Sequence, residues 1–283
     1  MPGPEQGMSV LLMSHALKIY RLLNILSVDV SAGAVICALF FAKILDVGIG
    51  VSGLIVLGLT VWIIYSADHL LDVRHIGERA ATNRHRFYQR FFGVMFWVTA
   101  LVAILDAAMI LFIRPSVFHA GLVLGAAVAF YLVAQRYFGF LKELLGALLY
   151  TGGVVLPAFA FIDERPITAD QWIAIFSFLL IAWINLLVFS YFDRESDEEH
   201  RQVSFTTSQG EHKTRVLVSV LAGICVSLCM YLMFRSMPMP SVVLLAMGGV
   251  LVLLLKFRGY FGRYDRYRYV GDAVFLFPLI VVL

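Results

Sequence analysis

Apolar residues fill most of the chain in long blocks, separated by shorter polar segments. A helix needs about 20 apolar residues to cross the hydrocarbon layer of a membrane, and eight blocks reach or approach that length. They predict spans at 26–45, 47–67, 93–113, 117–134, 145–162, 171–192, 216–234 and 240–255. A ninth block, 269–283, is about 22 Å long at 1.5 Å per residue. It is predicted either to cross a locally thinned bilayer or to cap the bundle.

The composition excludes a soluble domain. Hydrophobic residues make up 61% of the chain and charged residues 14%, whereas soluble domains contain about 25% charged residues. The expected fold is therefore an all-α, polytopic membrane bundle of about nine transmembrane helices. Residues 1–283 are expected to form one domain, without a separate soluble part.

The distribution of basic residues predicts the orientation in the membrane. Of the 22 Lys and Arg residues, 18 fall in the N-terminal segment and in the loops on the same side as it. The positive-inside rule places this side in the cytoplasm and predicts an integral protein of the inner membrane. A basic face also attracts anionic headgroups or diphosphates, and charge alone does not separate these interpretations. The other side has only Lys43, Arg114, Arg165 and Arg235.

Two spans run into the same acidic pattern at their cytoplasmic ends. Span 47–67 is followed by Asp68 and Asp72, and span 171–192 by Asp193 and Asp197. Carboxylates four residues apart on a helix share one face and repel each other unless a cation lies between them. Oxygen ligands of this kind suit Mg²⁺, which completes its coordination with water and substrate phosphate. A single such pair is commonly a solvated loop start, but its duplication favours a site for two or more ions around one diphosphate.

Other polar residues near the motifs are candidates for substrate contacts. Basic side chains can bind the phosphate oxygens that metals leave free, although each is also explained as an insertion signal. Asp29 and Asp106 are acids inside predicted spans and are functional candidates by position. For Asp106 a structural hydrogen bond between helices is the preferred interpretation. The candidate substrate-binding residues are Lys142, Arg74, Arg84, Arg86, Asn24 and Asn185.

The motifs resemble those of the UbiA family of intramembrane prenyltransferases, to which 4-hydroxybenzoate polyprenyltransferases belong. The resemblance rests on Asp68-His-Leu-Leu-Asp72, Lys142-Glu-Leu-Leu-Gly146 and Asp193-Arg-Glu-Ser-Asp197. It implies that the four aspartates are catalytic and bind Mg²⁺, and that Lys142 contacts a diphosphate. The family often has Asn one turn before the first Asp of each motif, where this chain has Ile64 and Phe189.

The resemblance implies a magnesium-dependent enzyme that transfers a prenyl group from an isoprenoid diphosphate to a lipophilic acceptor, aromatic or otherwise, within the membrane. A membrane terpene cyclase shares the ionisation step but needs no external acceptor. A non-catalytic carrier of isoprenoid lipids is the alternative that the Ile64 and Phe189 substitutions keep open. Membrane lipid is an expected partner and nucleic acid is not. The sequence contains no Gly-rich phosphate loop, nucleophile elbow or His-rich metal motif.

Overall fold

A computed structural model describes residues 18–75, 83–162, 165–200 and 202–283. Within these ranges the chain forms helices and connecting turns, without β-strands. A helical segment over 18–25 comes first. The longer helices are α1 (Val28–Leu45), α2 (Val51–His75), α4 (Phe92–Met109), α5 (Pro115–Ala134), α6 (Lys142–Phe159), α7 (Ala169–Phe192), α10 (Glu211–Arg235) and α11 (Pro238–Lys256). The short helices are α3 (Asn83–Arg90), α8 (Arg194–Glu199), α9 (Phe205–Gln209), α12 (Arg258–Phe261), α13 (Arg266–Ala273) and α14 (Leu279–Val282).

The eight long helices correspond to the eight predicted spans. Each is long and apolar enough to cross a membrane, and α4 is extended by a 3₁₀ turn over Ile110–Phe112. Helix α2 differs most from its prediction, because it continues past residue 67 to His75. The apolar block ends at residue 67, but the backbone stays helical through the polar residues that follow. The first aspartate pair therefore lies within a regular helix.

Helix α7 forms the centre of the bundle. Buried positions make up 67% of its apolar window, against 6% for α5. It packs against α1, α6, α10 and α11. Its start is fixed by a capping box, in which the Thr168 side chain accepts from the Gln171 backbone and the Gln171 side chain accepts from the Thr168 N–H. The second aspartate motif is thus attached to the most firmly packed helix.

The ninth predicted segment is broken but follows α1 along its length. It consists of α13, a 3₁₀ turn over Val274–Leu276 and α14. Asn24 donates to Asp272 at 2.8 Å, the Cys37 thiol to the Phe275 carbonyl at 3.3 Å, and Lys43 to the Val281 carbonyl at 2.6 Å. The first contact lies on the helical segment before α1 and the other two on α1 itself, and from Asn24 to Lys43 they follow about 28 Å of chain at 1.5 Å per residue. The segment therefore runs parallel to α1 and reaches both of its ends.

Ion pairs at one end of the bundle join loops that the charge analysis places on one side. Arg165 lies 3.4 Å from Asp46, and Arg235 lies 3.4 Å from Asp170. These pairs link the end of α1, the start of α7 and the end of α10. The four motif aspartates lie at the opposite end of α2 and α7. The sorting of loops into two sides therefore agrees with the helix packing.

Candidate functional site: an acidic mouth on an apolar cavity

A cavity of about 820 Å³ lies between α2, α4, α5, α6 and α7. This volume falls within the range of small-molecule sites, about 300–1,000 Å³. Helices α5 and α6 contribute mostly apolar or small side chains to its wall, and Ile110 and Ile113 after α4 add to it. The polar lining is concentrated where α2 and α7 end, and includes Asp68, Asp72, Asp193, Asp197, Lys142, Gln135, His85 and Arg268. We call this polar end the acidic mouth.

The first motif presents two carboxylates one helical turn apart on α2. Asp68 Oδ1 accepts a hydrogen bond from Gln135 Nε2 at 3.0 Å, and Gln135 lies just after α5. Asp72 Oδ2 lies 3.6 Å from Nε2 of His85, which belongs to α3. The two aspartates are therefore oriented by residues from outside their own helix.

The second motif begins at the residue that ends α7. Asp193 separates α7 from α8, and the Asp197 N–H donates to the Asp193 carbonyl at 2.8 Å, which keeps the helical spacing. Arg268 Nη2 donates to Asp193 Oδ2 at 2.6 Å. The Tyr267 hydroxyl donates to Asp193 Oδ1. Both carboxylate oxygens of Asp193 are thus bonded by residues of α13.

Asp197 lies in surroundings that disfavour its negative charge. Burial, together with the neighbouring Asp193 carboxylate, raises its pKa to about 6. A hydrogen bond from Ser204 and the charges of Lys142 and Arg268 act in the opposite direction. A carboxylate in this state is stabilised by an additional cation beside it. The second motif is therefore suited to receive a metal ion.

The basic candidates separate into two groups. Lys142 starts α6 and lines the cavity. Arg84 also lines it, but its Nη2 group donates to the Asn24 carbonyl at 3.1 Å and lies 3.5 Å from Asp272. Arg74 and Arg86 are exposed and do not contribute to the lining, and the Arg74 guanidinium lies over the Phe92 ring.

The two asparagine candidates also have different positions. Asn24 is buried outside the cavity lining and donates to Asp29 at 2.6 Å and to Asp272 at 2.8 Å. It therefore connects the segment before α1 to α13. Asn185 does line the cavity, and within the described residues its Oδ1 atom has no hydrogen-bond partner.

The two intramembrane acids are held by neighbouring side chains. Asp29 accepts from Asn24 and from the Tyr20 hydroxyl, at 2.6 and 3.3 Å. It does not contribute to the cavity lining. Asp106 on α4 lines the cavity and accepts from Thr60 of α2 at 2.8 Å. This is the interhelical hydrogen bond that was preferred for Asp106 from the sequence.

Sequence reasoning missed polar residues of the acidic mouth, as well as Tyr267, which lies outside the lining but donates to Asp193. Gln135, His85, Tyr267 and Arg268 were not singled out, and Arg268 was only counted among the insertion signals. Arg268 contacts Asp193 across 75 positions of chain, and no local pattern marks such a pair. The one available signal was the density of Arg and Tyr over 263–269, directly before the ninth block.

Comparison with solved structures identifies the architecture. The apo structure of a UbiA homologue from Aeropyrum pernix K1 matches with a TM-score of 0.66 at 14% identity, covering 89% of this chain and 97% of that one. A UbiA homologue from Archaeoglobus fulgidus bound to GPP and Mg²⁺ matches with a TM-score of 0.64 at 14% identity, covering 92% and 98%. The chain has the UbiA fold.

A third structure with this fold is that of a digeranylgeranylglyceryl phosphate synthase. It matches with a TM-score of 0.54 at 16% identity, covering 94% of this chain and 95% of that one. No protein-family model and no curated protein sequence matches the chain. The fold expected from the aspartate motifs is therefore confirmed, although the sequence identity to these structures is only 14–16%.

The two positions at which the resemblance led us to expect Asn are apolar and line the cavity. Ile64 and Phe189 both belong to the wall. The Arg268 guanidinium carbon lies 5.7 Å from the centroid of the Phe189 ring, within the distance of a cation–π contact. Helix α13 approaches this ring closely, since a Cβ built on Gly271 would lie 2.5 Å from Phe189 Cε1. Phe189 thus supports α13 and its arginine where an amide is expected.

Proposed function

We propose that this chain is a UbiA-type prenyltransferase, which uses Mg²⁺ to transfer a prenyl group from an isoprenoid diphosphate to a lipophilic acceptor in the membrane. The main supporting observation is the position of four motif carboxylates and two cationic side chains at the polar end of an apolar cavity. A diphosphate needs cations around it, while its isoprenoid chain needs an apolar space. The cavity offers both within one volume.

The donor set fits magnesium. Asp68, Asp72, Asp193 and Asp197 are the residues that would hold it, since carboxylate oxygens are the protein ligands that Mg²⁺ prefers. When bound, the metal offsets the negative charge of a departing diphosphate. The proposal for Asp197 is supported by its raised pKa, because burial beside Asp193 leaves its negative charge poorly compensated.

The protein's own residues supply the remaining parts of the reaction. Lys142 and Arg268 are positioned to bind phosphate oxygens at the acidic mouth. The C1–O bond of the allylic diphosphate breaks, and its electron pair leaves with the diphosphate. The apolar wall excludes water from the resulting allylic cation. The acceptor forms the new bond to C1 with its own electron pair and loses a proton. Aromatic rings that can face this cation are those of Tyr65, Tyr131, Tyr150, Phe189 and Phe275.

The proposed setting is the inner membrane, with the N-terminus and the acidic mouth in the cytoplasm. The excess of Lys and Arg on that side of the bundle supports this orientation. Soluble diphosphates would then reach the metal-binding end from the cytoplasm. The acceptor and the membrane lipid around it would enter from the bilayer.

The test is release of diphosphate from geranyl diphosphate by the purified full chain, with and without Mg²⁺ and an aromatic acceptor. Asp68→Asn, Asp72→Asn, Asp193→Asn and Asp197→Asn should each fold and each abolish magnesium-dependent release. Glu195→Gln is the matched control, since Glu195 is exposed on α8 and does not line the cavity. It should retain release.

Labelled geranyl diphosphate separates the alternatives. A product containing both the label and the acceptor supports the transferase. A labelled cyclic hydrocarbon formed without acceptor identifies a terpene cyclase instead. Binding without any release of diphosphate, in the wild type and the four variants alike, would contradict an enzymatic function and favour an isoprenoid carrier.

A further inference from the structure

Two histidines lie beside the first aspartate motif. His69 follows Asp68 on α2, and His85 comes from α3. One ligand atom from each of His69, Asp72 and His85 lies within 4.8 Å of the other two. Ligands bound to one metal at about 2.0–2.2 Å lie about 3–4 Å apart, so a small adjustment of side chains suffices for a shared ion. His69 and His85 are 16 positions apart in sequence, which is why no metal motif was visible there.

The arrangement follows from the local packing. His69 and Asp72 are three residues apart and therefore lie on neighbouring positions of one helix face. Helix α3 packs against α2 through a separate apolar cluster that includes Leu70, Val73 and Tyr88. This contact brings His85 Nε2 to 3.6 Å from Asp72 Oδ2. All three candidate ligands line the cavity.

His69 has an unused ring nitrogen in the interior. The residue is 6% exposed, and its Nε2 lies 3.2 Å from the Ser27 hydroxyl. Within the described residues, its buried Nδ1 has no hydrogen-bond partner. A buried polar atom without a partner costs about 1–3 kcal/mol, and metal-ligating histidines typically hydrogen-bond through the other nitrogen. The Ser27 contact thus leaves Nδ1 available for a metal.

We infer that His69, Asp72 and His85 form a binding site for one divalent transition-metal ion of the class that prefers imidazole ligands, such as Zn²⁺, Fe²⁺ or Co²⁺. Magnesium prefers oxygen ligands, whereas imidazole suits these softer ions. Three protein ligands leave coordination positions open, and all three ligand residues line the cavity. Water or a phosphate oxygen is the class of ligand that can occupy the open positions.

The site shares Asp72 with the proposed magnesium motif, and both can form because a carboxylate has two oxygens that can each accept a ligand. An ion pair alone explains the proximity of His85 and Asp72, but it gives no partner to His69 Nδ1. The inference deepens the proposed function by adding a second class of metal at the acidic mouth. Binding of this ion does not itself require prenyl transfer.

The test is a titration of the metal-free full chain in detergent with Co²⁺, measured by calorimetry and by the visible absorption of the bound ion. We expect one Co²⁺ per chain in the wild type. His69→Gln and His85→Gln should each weaken it at least about tenfold. His119→Gln is the matched control, because His119 is exposed on α5 and outside the cavity lining. His85 is less buried than His69, so its variant stays informative if the His69 change disturbs packing.

Asp193→Asn distinguishes this site from the aspartate-only one. It should retain Co²⁺ binding if the histidines hold the ion. Loss of Co²⁺ binding in Asp193→Asn, with full binding in both histidine variants, would overturn the inference. Magnesium-dependent diphosphate release is measured separately. Its absence from a wild type that still binds Co²⁺ through the histidines would contradict the proposed function and leave the metal site standing.

Discussion

Arg268 donates a 2.6 Å hydrogen bond to Asp193, and in the described chain it is the only Lys or Arg side chain within 4 Å of a motif aspartate. Both side chains of the Arg268–Asp193 pair are largely buried, at 17% and 13% exposure. The second motif therefore has an internal counter-ion, whereas Asp68 is held by the neutral amide of Gln135. The two motifs have the same spacing but differ in their electrostatic surroundings.

Arg268→Gln should make the fold more dependent on magnesium. Removing one partner of a buried ion pair leaves the other charge uncompensated and costs several kcal/mol, and here about 1–3 kcal/mol is expected because both groups retain some exposure. Bound Mg²⁺ should restore part of this loss. The gain in Tm on adding Mg²⁺ should thus be larger in the variant than in the wild type.

The control for this measurement is Arg258→Gln. Arg258 forms a comparable pair with Glu211 at 3.0 Å, but it is more exposed and does not line the cavity. Its replacement should leave the magnesium-dependent gain in Tm unchanged. An equal gain in wild type, Arg268→Gln and Arg258→Gln would show that Asp193 is not part of the metal site.

The affinity for Mg²⁺ should fall below about pH 6. Burial and the Asp193 carboxylate raise the pKa of Asp197 to about 6, and protonation competes with metal binding. The stability of the metal-free protein should change in the opposite direction. Between about pH 4 and pH 6 the native state binds a proton that the unfolded state has lost, so the free energy of unfolding should decrease as the pH rises. Titrations of Mg²⁺ at a series of pH values measure the first effect, and Asp197→Asn should flatten it.

Lys142→Ala should weaken the binding of geranyl diphosphate, whereas Lys142→Arg should retain much of it. The loss of one charged hydrogen bond costs about 1.5–3 kcal/mol, which is about a 10- to 100-fold rise in Kd. Lys213→Ala is a matched control, because Lys213 is exposed, outside the cavity lining and bonded to Gln209. Equal affinities for Lys142→Ala and the control would show that Lys142 does not contact the diphosphate and would favour its interpretation as an insertion signal.

Single cysteines at two open glycines should report the orientation. A Cβ at Gly48 or at Gly259 would meet no atom within 4 Å, and the three native cysteines are buried. In intact cells, a membrane-impermeant maleimide should label Gly48→Cys and should reach Gly259→Cys only after permeabilisation. Labelling of both positions in intact cells would contradict the proposed topology.

The fold was largely predictable because membrane solvation acts on individual segments. An apolar block in lipid must form a helix so that its backbone N–H and C=O groups are hydrogen-bonded. Each span, such as 171–192, can therefore be predicted from its own residues alone. The spacing of Asp68 and Asp72 is equally local. The span was bounded at residue 67, where the apolar block ends, and the helix continues through the predicted helical motif to His75, where Leu70 and Val73 pack against Tyr88.

The candidate site was less predictable because its contacts join distant parts of the chain. Arg84 was expected to face a phosphate, but Asn24 and Asp272 already accept its hydrogen bonds. Asp272 comes from the ninth segment, whose position beside α1 is set by packing. Arg74 carries the same charge but points away from the cavity lining. Residue type alone does not separate such cases.

Gly271→Ala should destabilise the protein although alanine favours helices. The added Cβ would lie 2.5 Å from Phe189 Cε1 and 2.9 Å from Asn185 Oδ1, and overpacking of this kind costs about 1–3 kcal/mol. The Tm of Gly271→Ala should therefore fall. Phe189→Leu combined with Gly271→Ala should recover part of the loss, whereas Gly259→Ala, in open space, should show no loss.

The contact between Gly271 and Phe189 also couples the two positions. A side chain at 271 would crowd the aromatic ring at 189, so phenylalanine at 189 is accommodated at least cost when 271 is glycine. Phe189→Asn faces no such barrier, because it is compatible with the glycine already present. The residues tolerated at 271 therefore depend on the residue at 189, and the two positions are expected to change together rather than independently.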